Sequence, residues 1–189
     1  MNTKTIRRLP AGADLSHIHP DLHRLAVAIE RLVKHPDNPR LHPDANRKAI
    51  KGSLKRYLQR KPVVVNLTAD GLRIEAGHGV FTEMLEAGAL YLAVTICEDD
   101  PITEMGYMIA DNQTGDLSQN DNERLAPILR QLIDAGEAVE EVGWDEETIR
   151  GLLGSGDEDE SVEGKEYGED IENEVEFITC PACAHKWPK

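Results

Sequence analysis

The sequence predicts an α+β domain with a helical appendage, and three observations carry that prediction. A helix-periodic segment runs into a β-branched run and a hairpin. A glycine-flanked turn then leads into a second helix and a further strand. Beyond that strand every periodic segment is helical. The order helix, strand, hairpin strand, helix, strand, then helices only, segregates helices from an antiparallel unit, as in α+β folds. A chain of 189 residues suits one globular domain with appendages, and with 4% aromatics its core must be aliphatic.

Residues 1–20 show no period and are expected to form a flexible arm. Residues 21–33 space Leu22, Leu25, Ala26, Ile29, Leu32 and Val33 as a helix would, with Asp21 as the start signal. His35-Pro36-Asp37-Asn38-Pro39-Arg40 must be a loop, because two prolines forbid helix and push their neighbours to extended backbone. Residues 44–59 form a helix with Asp44 or Asn46 as its cap. Ile50, Leu54, Tyr57 and Leu58 share one face, and Arg47, Lys48, Lys51, Lys55 and Arg56 the other. Pro62 ends it. Residues 63–67 are a β-branched buried strand, Ala69-Asp70-Gly71 a tight turn, and 72–75 the returning strand.

Gly77-His78-Gly79 follows, then a helix to residue 87 with Phe81, Met84 and Leu85 inward, then a strand at 91–96. Pro101 suits the first turn of a helix over 101–112. A second helix, 122–135, stops at Gly136. Its stripe of Leu125, Ile128, Leu129, Leu132 and Ile133 is expected to be core or a homodimer face, and no helix-turn-helix with basic recognition residues is visible. Asp145 caps a third helix to residue 153. Residues 154–176 contain eleven Asp/Glu and one Lys, too polar to fold alone, and read as a disordered acidic linker. The expected organisation is an arm (1–20), an α+β domain (21–115), a helical appendage (116–153), an acidic linker (154–176) and a zinc-knuckle-like tail (177–189).

Charge divides the chain. Residues 1–62 carry fourteen Lys/Arg against five Asp/Glu, and the rest seven against thirty. That asymmetry marks a basic part facing nucleic acid and an acidic tail, or else a solvated helix face. The net charge of -14 opposes tight non-specific DNA binding. The longest apolar runs are far short of the roughly 20 residues a membrane helix needs. The amino terminus lacks a signal-peptide apolar region, and three cysteines do not build a disulfide framework, so a cytoplasmic setting is expected.

Three motifs carry candidate chemistry. In Glu75-Ala76-Gly77-His78-Gly79, glycines at a strand-to-helix turn let an anion approach backbone N–H groups at the helix start. His78 there could bind phosphate when protonated or shuttle a proton; the plain alternative is a glycine-containing turn with a surface histidine. Cys180-x-x-Cys183-x-His185 has the spacing of half a zinc ribbon, with a fourth ligand from Cys97, a histidine or a second subunit; the alternative is a frayed tail with free thiols. The basic face with Arg47, Lys48, Lys51, Lys55 and Arg56 could track phosphates, with Tyr57 stacking on a base or sitting in the core. His17, His19, His23, His35 and His42 are spaced too irregularly for a metal cluster.

Three blocks in order resemble the ParB/sulfiredoxin superfamily: Leu32 to Arg40 with its Asn-Pro-Arg loop, Pro62 to Gly79 ending in Ala-Gly-His-Gly, and Met108-Ile109-Ala110-Asp111-Asn112-Gln113. The set covers about half the chain and is most similar to phage and mobile-element members, which stand beside terminases or DNA methyltransferases. The resemblance implies a small mixed sheet with helices, and a strand within residues 26–32 against their helical period. It implies a phosphate loop of Gly77, His78 and Gly79, a nucleotide contact from Arg40, metal or phosphate contacts from Asp111 and Asn112, and a nucleoside triphosphate with Mg. As an enzyme of that family, its proton shuttles would be His78 and Asp111. Val80 stands where the family has an arginine clamp, Thr114 where relatives that hydrolyse CTP have a basic residue, and His78 where sulfiredoxin has its cysteine. These departures point away from sulfinate reduction and nucleotide turnover. The expected function is a ParB-like accessory protein that binds nucleotide or DNA phosphate in DNA processing or modification. A nuclease, kinase or hydrolase of the same fold is the first alternative, and an adaptor with an acidic tail the second.

Overall fold

The computed structural model describes residues 6–154, 177–179 and 185–188. Its contacts divide the chain into two units, Met1–Leu153 and Gly154–Lys189. The first holds a five-stranded mixed sheet: β1 (Ala26–Ala28), β2 (Leu32–Lys34), β3 (Val63–Thr68), β4 (Gly71–Ala76) and β5 (Tyr91–Cys97), in the order β1-β5-β3-β4-β2. β3 and β4 form the expected hairpin, closed by the pair Thr68 and Gly71. Gly71 sits at φ 134°, backbone that a side chain would strain. From β4 the chain passes through helix α2 (His78–Glu86) into β5, which runs parallel to β3.

β1 and β2 occupy opposite edges although only Ile29–Arg31 separates them. Five flat strands would place the edges about 19 Å apart. The chain from residue 28 to residue 32 reaches at most about 14 Å. The sheet must therefore curl until its edges approach. Val27, Ile29, Leu32, Val63, Val65, Leu72, Ile74, Leu92 and Val94 fill the curled face together with Phe81 and Met84 of α2. The core is aliphatic, as composition requires.

Residues 21–33 are not a helix. A 3-10 turn (Pro20–Leu25), β1, a second 3-10 turn (Ile29–Arg31) and β2 replace it. Short turns alternating with three-residue strands reproduce a spacing of three to four between buried positions, which mimics helical period. The strand implied by the family resemblance is present. Nor do residues 6–20 behave as a loose arm: Ile6 and Ile18 are buried, and Leu9 and Leu15 pack with Ala26 and Ala93. Gln59 anchors this segment. Its backbone N–H donates to His17 at 2.9 Å and its carbonyl accepts from His19 at 3.0 Å. Its side-chain amide both donates to and accepts from Ala93, at 2.8 Å each way.

Helix α1 (Asp44–Tyr57) starts after Pro43, which makes no side-chain cap, so neither Asp44 nor Asn46 is the cap. It ends at Leu58, whose φ of 61° is left-handed, just before the buried Gln59. Helices α3 (Pro101–Asp116), α4 (Asn122–Asp134) and α5 (Glu146–Leu153) follow β5. Asp100, Asp121 and Asp145 each accept backbone N–H groups at one helix start. Leu129, Val139 and Ile149 form a second small core, with Leu125 and Leu132 against it and Ile128 left exposed. The appendage docks on α1 where Gly52 faces the 3-10 turn Val139–Val142; a Cβ at Gly52 would lie 1.8 Å from the Glu141 carbonyl oxygen.

In the second unit β6 (Phe177–Thr179) pairs antiparallel with β7 (Lys186–Pro188). The expected acidic linker and the ligands Cys180 and Cys183 fall outside the described residues, apart from Gly154. Among the described residues no helix is long and apolar enough to cross a membrane.

Candidate functional site

The hairpin hands the chain to α2 at Gly77, whose φ of 97° is left-handed. A Cβ there would sit 3.0 Å from Val63 Cγ2, so glycine is required for both conformation and space. Gly77 offers no side chain to cap α2. Phe81 N–H donates back to the Gly77 carbonyl at 3.0 Å, which leaves the amides of His78, Gly79 and Val80 ahead of the first intrahelical bond. Gly79 keeps this turn open, since a Cβ would stand 2.6 Å from Ile50 Cδ1 and 3.0 Å from His42 Cε1.

A crevice of about 250 Å³ opens over these amides. Arg40 and His42 line it from the first loop, Gly77, His78 and Gly79 from the turn, and Asp111 and Asn112 from α3. Residues far apart in sequence thus share one concavity. A larger hollow of about 480 Å³ lies at the other end of the hairpin, by Ala69, Asp70 and Gly71, and gathers none of the predicted site residues. Val80 lines the crevice as well. Arg40 is engaged at the rim, where its guanidinium donates to Asp116 at 2.5 Å.

His78 is buried and its Nε2 accepts the backbone N–H of His35 at 3.3 Å. Burial, then the nearby His35, His42 and Lys34, push its pKa down to about 4. His78 is therefore neutral near pH 7, with its proton on Nδ1, and does not supply the positive charge expected of it. His35 in turn accepts the Asp37 N–H on Nδ1 at 3.1 Å and turns Nε2 towards Glu104 at 3.8 Å. Glu104 is 1% exposed and takes a forked ion pair from Arg73, whose Nε donates at 2.6 Å. That guanidinium holds the Glu104 carboxyl below its ordinary range. The first loop, β4 and α3 are locked to one another through this chain.

On the same face of the sheet as Arg73, the side chains of Glu75, Cys97 and Asp99 converge, with ligand atoms within 4.8 Å of one another. Glu75 is 2% exposed, and no N–H or hydroxyl group donates to either carboxylate oxygen. Burial, then the charges of Asp99 and Glu104, raise its pKa to about 7. The sequence reading missed Asp99 and Glu104; it had Glu75 only as part of the glycine motif, Cys97 only as a fourth ligand for the carboxyl-terminal cysteines, and set His35 aside with the irregularly spaced histidines. An acidic residue next to the glycine turn, Glu75 before Ala76 and Gly77, was the one visible signal.

The basic face of α1 is partly committed. Arg47 donates to Glu83 at 2.6 Å and to Glu86 at 2.5 Å, and Arg56 pairs with Glu137. Tyr57 is half-buried between the guanidiniums of Arg56 and Arg60, at 5.9 and 5.7 Å from its ring centre. Lys48, Lys51 and Lys55 are exposed. In the second unit His185 is exposed.

No family model matches the chain, and no curated protein matches it. Solved structures do. The C-terminally truncated chromosome-partitioning protein ParB from Caulobacter crescentus, complexed with CTP-gamma-S, is 18% identical with a TM-score of 0.57, over 68% of this chain and 75% of that one. The same protein complexed to the centromeric parS site is 16% identical with a TM-score of 0.42, over 68% and 69%. A Pnob8-like ParB-N domain is 17% identical with a TM-score of 0.41, over 86% of this chain and 55% of that one. The first of these likenesses shows that the chain has a ParB-like fold.

Proposed function

We propose that the crevice over Gly77, His78 and Gly79 binds the phosphate groups of a nucleotide or nucleic acid, and that the protein acts in DNA processing as a ParB-like accessory protein of a phage or mobile element. The observation that carries this reading is the convergence of Arg40, the glycine turn, Asp111 and Asn112 on one hollow at a helix N-terminus. Unpaired amides and the helix dipole favour an oxyanion there. The ParB of similar fold is complexed with CTP-gamma-S in one structure, which supports nucleotide as the ligand class.

The volume of about 250 Å³ is below the roughly 300–1,000 Å³ of a site that encloses a drug-sized ligand. It suits a phosphate or diphosphate, with base and sugar resting outside. Asp111 and Asn112 are half-buried oxygen donors on the same wall and fit a Mg²⁺ that accompanies the phosphates and offsets their charge. Binding is favoured over turnover: His78 is neutral and its Nε2 is occupied, and Val80 cannot clamp a phosphate as arginine would. Exposed Lys48, Lys51 and Lys55 would meet a DNA backbone, while Arg47 and Arg56 serve the fold. A cytoplasmic setting, a terminase or methyltransferase partner, and zinc on Cys180, Cys183 and His185 belong to this proposal.

Thermal-shift and calorimetric titration with each of the four nucleoside triphosphates and Mg²⁺, and with inorganic phosphate and single-stranded DNA, tests it. Saturable binding that weakens in Asn112→Ala supports the reading. No binding to any of these probes overturns it.

A further inference from the structure

We infer that Glu75, Cys97 and Asp99 form a binding site for a zinc-class divalent cation, reached through Glu75, which also lines the crevice. Three donors from two strands and the segment after β5 converge within 4.8 Å. Bonds of about 2.0–2.3 Å to zinc require them to close by up to about 1 Å, which side-chain rotation supplies. The second, independent observation is Glu75 itself. It is 2% exposed, and no N–H or hydroxyl group donates to either of its oxygens, the Asp99 carboxyl being its polar neighbour. A buried carboxylate is ordinarily satisfied, and one left bare is aimed at a ligand or holds a proton.

The surroundings are built to hold the donors still. Asn66 fixes the Asp99 backbone on both sides, donating to its carbonyl at 3.0 Å and accepting its N–H at 2.9 Å. Glu104 is neutralised by Arg73, so the remaining negative charge at this spot belongs to the three donors. A thiolate beside two carboxylates selects zinc over magnesium, because magnesium takes oxygen ligands alone. Three protein ligands leave a fourth position for water or for a phosphate oxygen in the crevice that Glu75 also lines.

The proposal uses none of the carboxyl-terminal cysteines, and its test needs no nucleotide, so it stands or falls apart from the phosphate-binding proposal. In the full-length Cys180→Ser/Cys183→Ser chain, Cys97 is the only thiol left of three. Titrating that chain with Co²⁺ after chelation should produce a thiolate-to-cobalt charge-transfer band that saturates at about one metal per chain. Zinc should displace the cobalt, and Glu75→Gln added to this chain should weaken binding at least about tenfold, as loss of a metal contact does. Co²⁺ binding without the sulfur band, or no binding by the folded site-intact chain, overturns the inference and leaves Glu75 as a protonated buried acid.

Discussion

His78 Nε2 accepts the backbone N–H of His35 at 3.3 Å, and this bond joins the loop after β2 to the turn that opens α2. The imidazole is a structural acceptor inside the site, not a free cation at its mouth.

The pH dependence follows. His78 has an ordinary pKa of 6.5 and one of about 4 in the folded chain. Between those values the unfolded chain binds a proton that the folded chain rejects. The stability it contributes is full above pH 6.5 and is lost as pH falls towards about 4. Glu75, raised to about 7, gains stability over the same range, so the His78 contribution is read as a difference: in urea unfolding the change from pH 7 to pH 5 should be less destabilising in His78→Gln than in the wild type. An equal change in both would place the acid-sensitive group elsewhere.

Arg73 of β4 forms an ion pair with the buried Glu104 of α3 and ties the strand to the helix. Removing the guanidinium in Arg73→Met strands a carboxylate that is 1% exposed. The expected cost is about 3 kcal/mol by equilibrium denaturation. The double variant Arg73→Met/Glu104→Leu should recover much of it, because no bare charge remains.

Gly52 lies under the Glu141 carbonyl, where a Cβ would approach to 1.8 Å. Backbone must move to admit it, so Gly52→Ala should cost about 2 kcal/mol or more. Hydrogen exchange should report the loss first in residues 138–153, with β3 to β5 still protected. Uniform loss across the domain would contradict a separately docked appendage.

Gly77→Ala places a Cβ on a left-handed residue and 3.0 Å from Val63 Cγ2. A destabilisation of about 1–3 kcal/mol is expected. Gly79→Ala meets only the flexible tip of Ile50 and the His42 ring, so its effect should fall on ligand affinity more than on stability.

Legibility in the sequence followed the range of the interaction. The β3–β4 hairpin was readable from Ala69-Asp70-Gly71 and alternation, α4 from its apolar stripe and Gly136, and α5 from Asp145, because these signals are local. Residues 26–34 were not, since two edge strands split by a 3-10 turn copy a helical spacing; the family resemblance supplied the strand. At the crevice, glycines at a strand-to-helix turn marked the spot. Glu75, Cys97 and Asp99 escaped because strand register alone brings β4 and the end of β5 together. The pairing of Arg47 with Glu83 escaped likewise, and a basic helix face therefore looked freer than it is.

The most direct test is to map amide shifts in ¹⁵N-labelled full-length chain titrated with CTP and Mg²⁺, with inorganic phosphate as the minimal probe. Saturable shifts centred on the N–H groups of Gly77, His78 and Gly79, with Asn112 following, are the expected result. Saturation with those amides unmoved, or no response to either probe at millimolar concentration, would contradict phosphate binding at the start of α2.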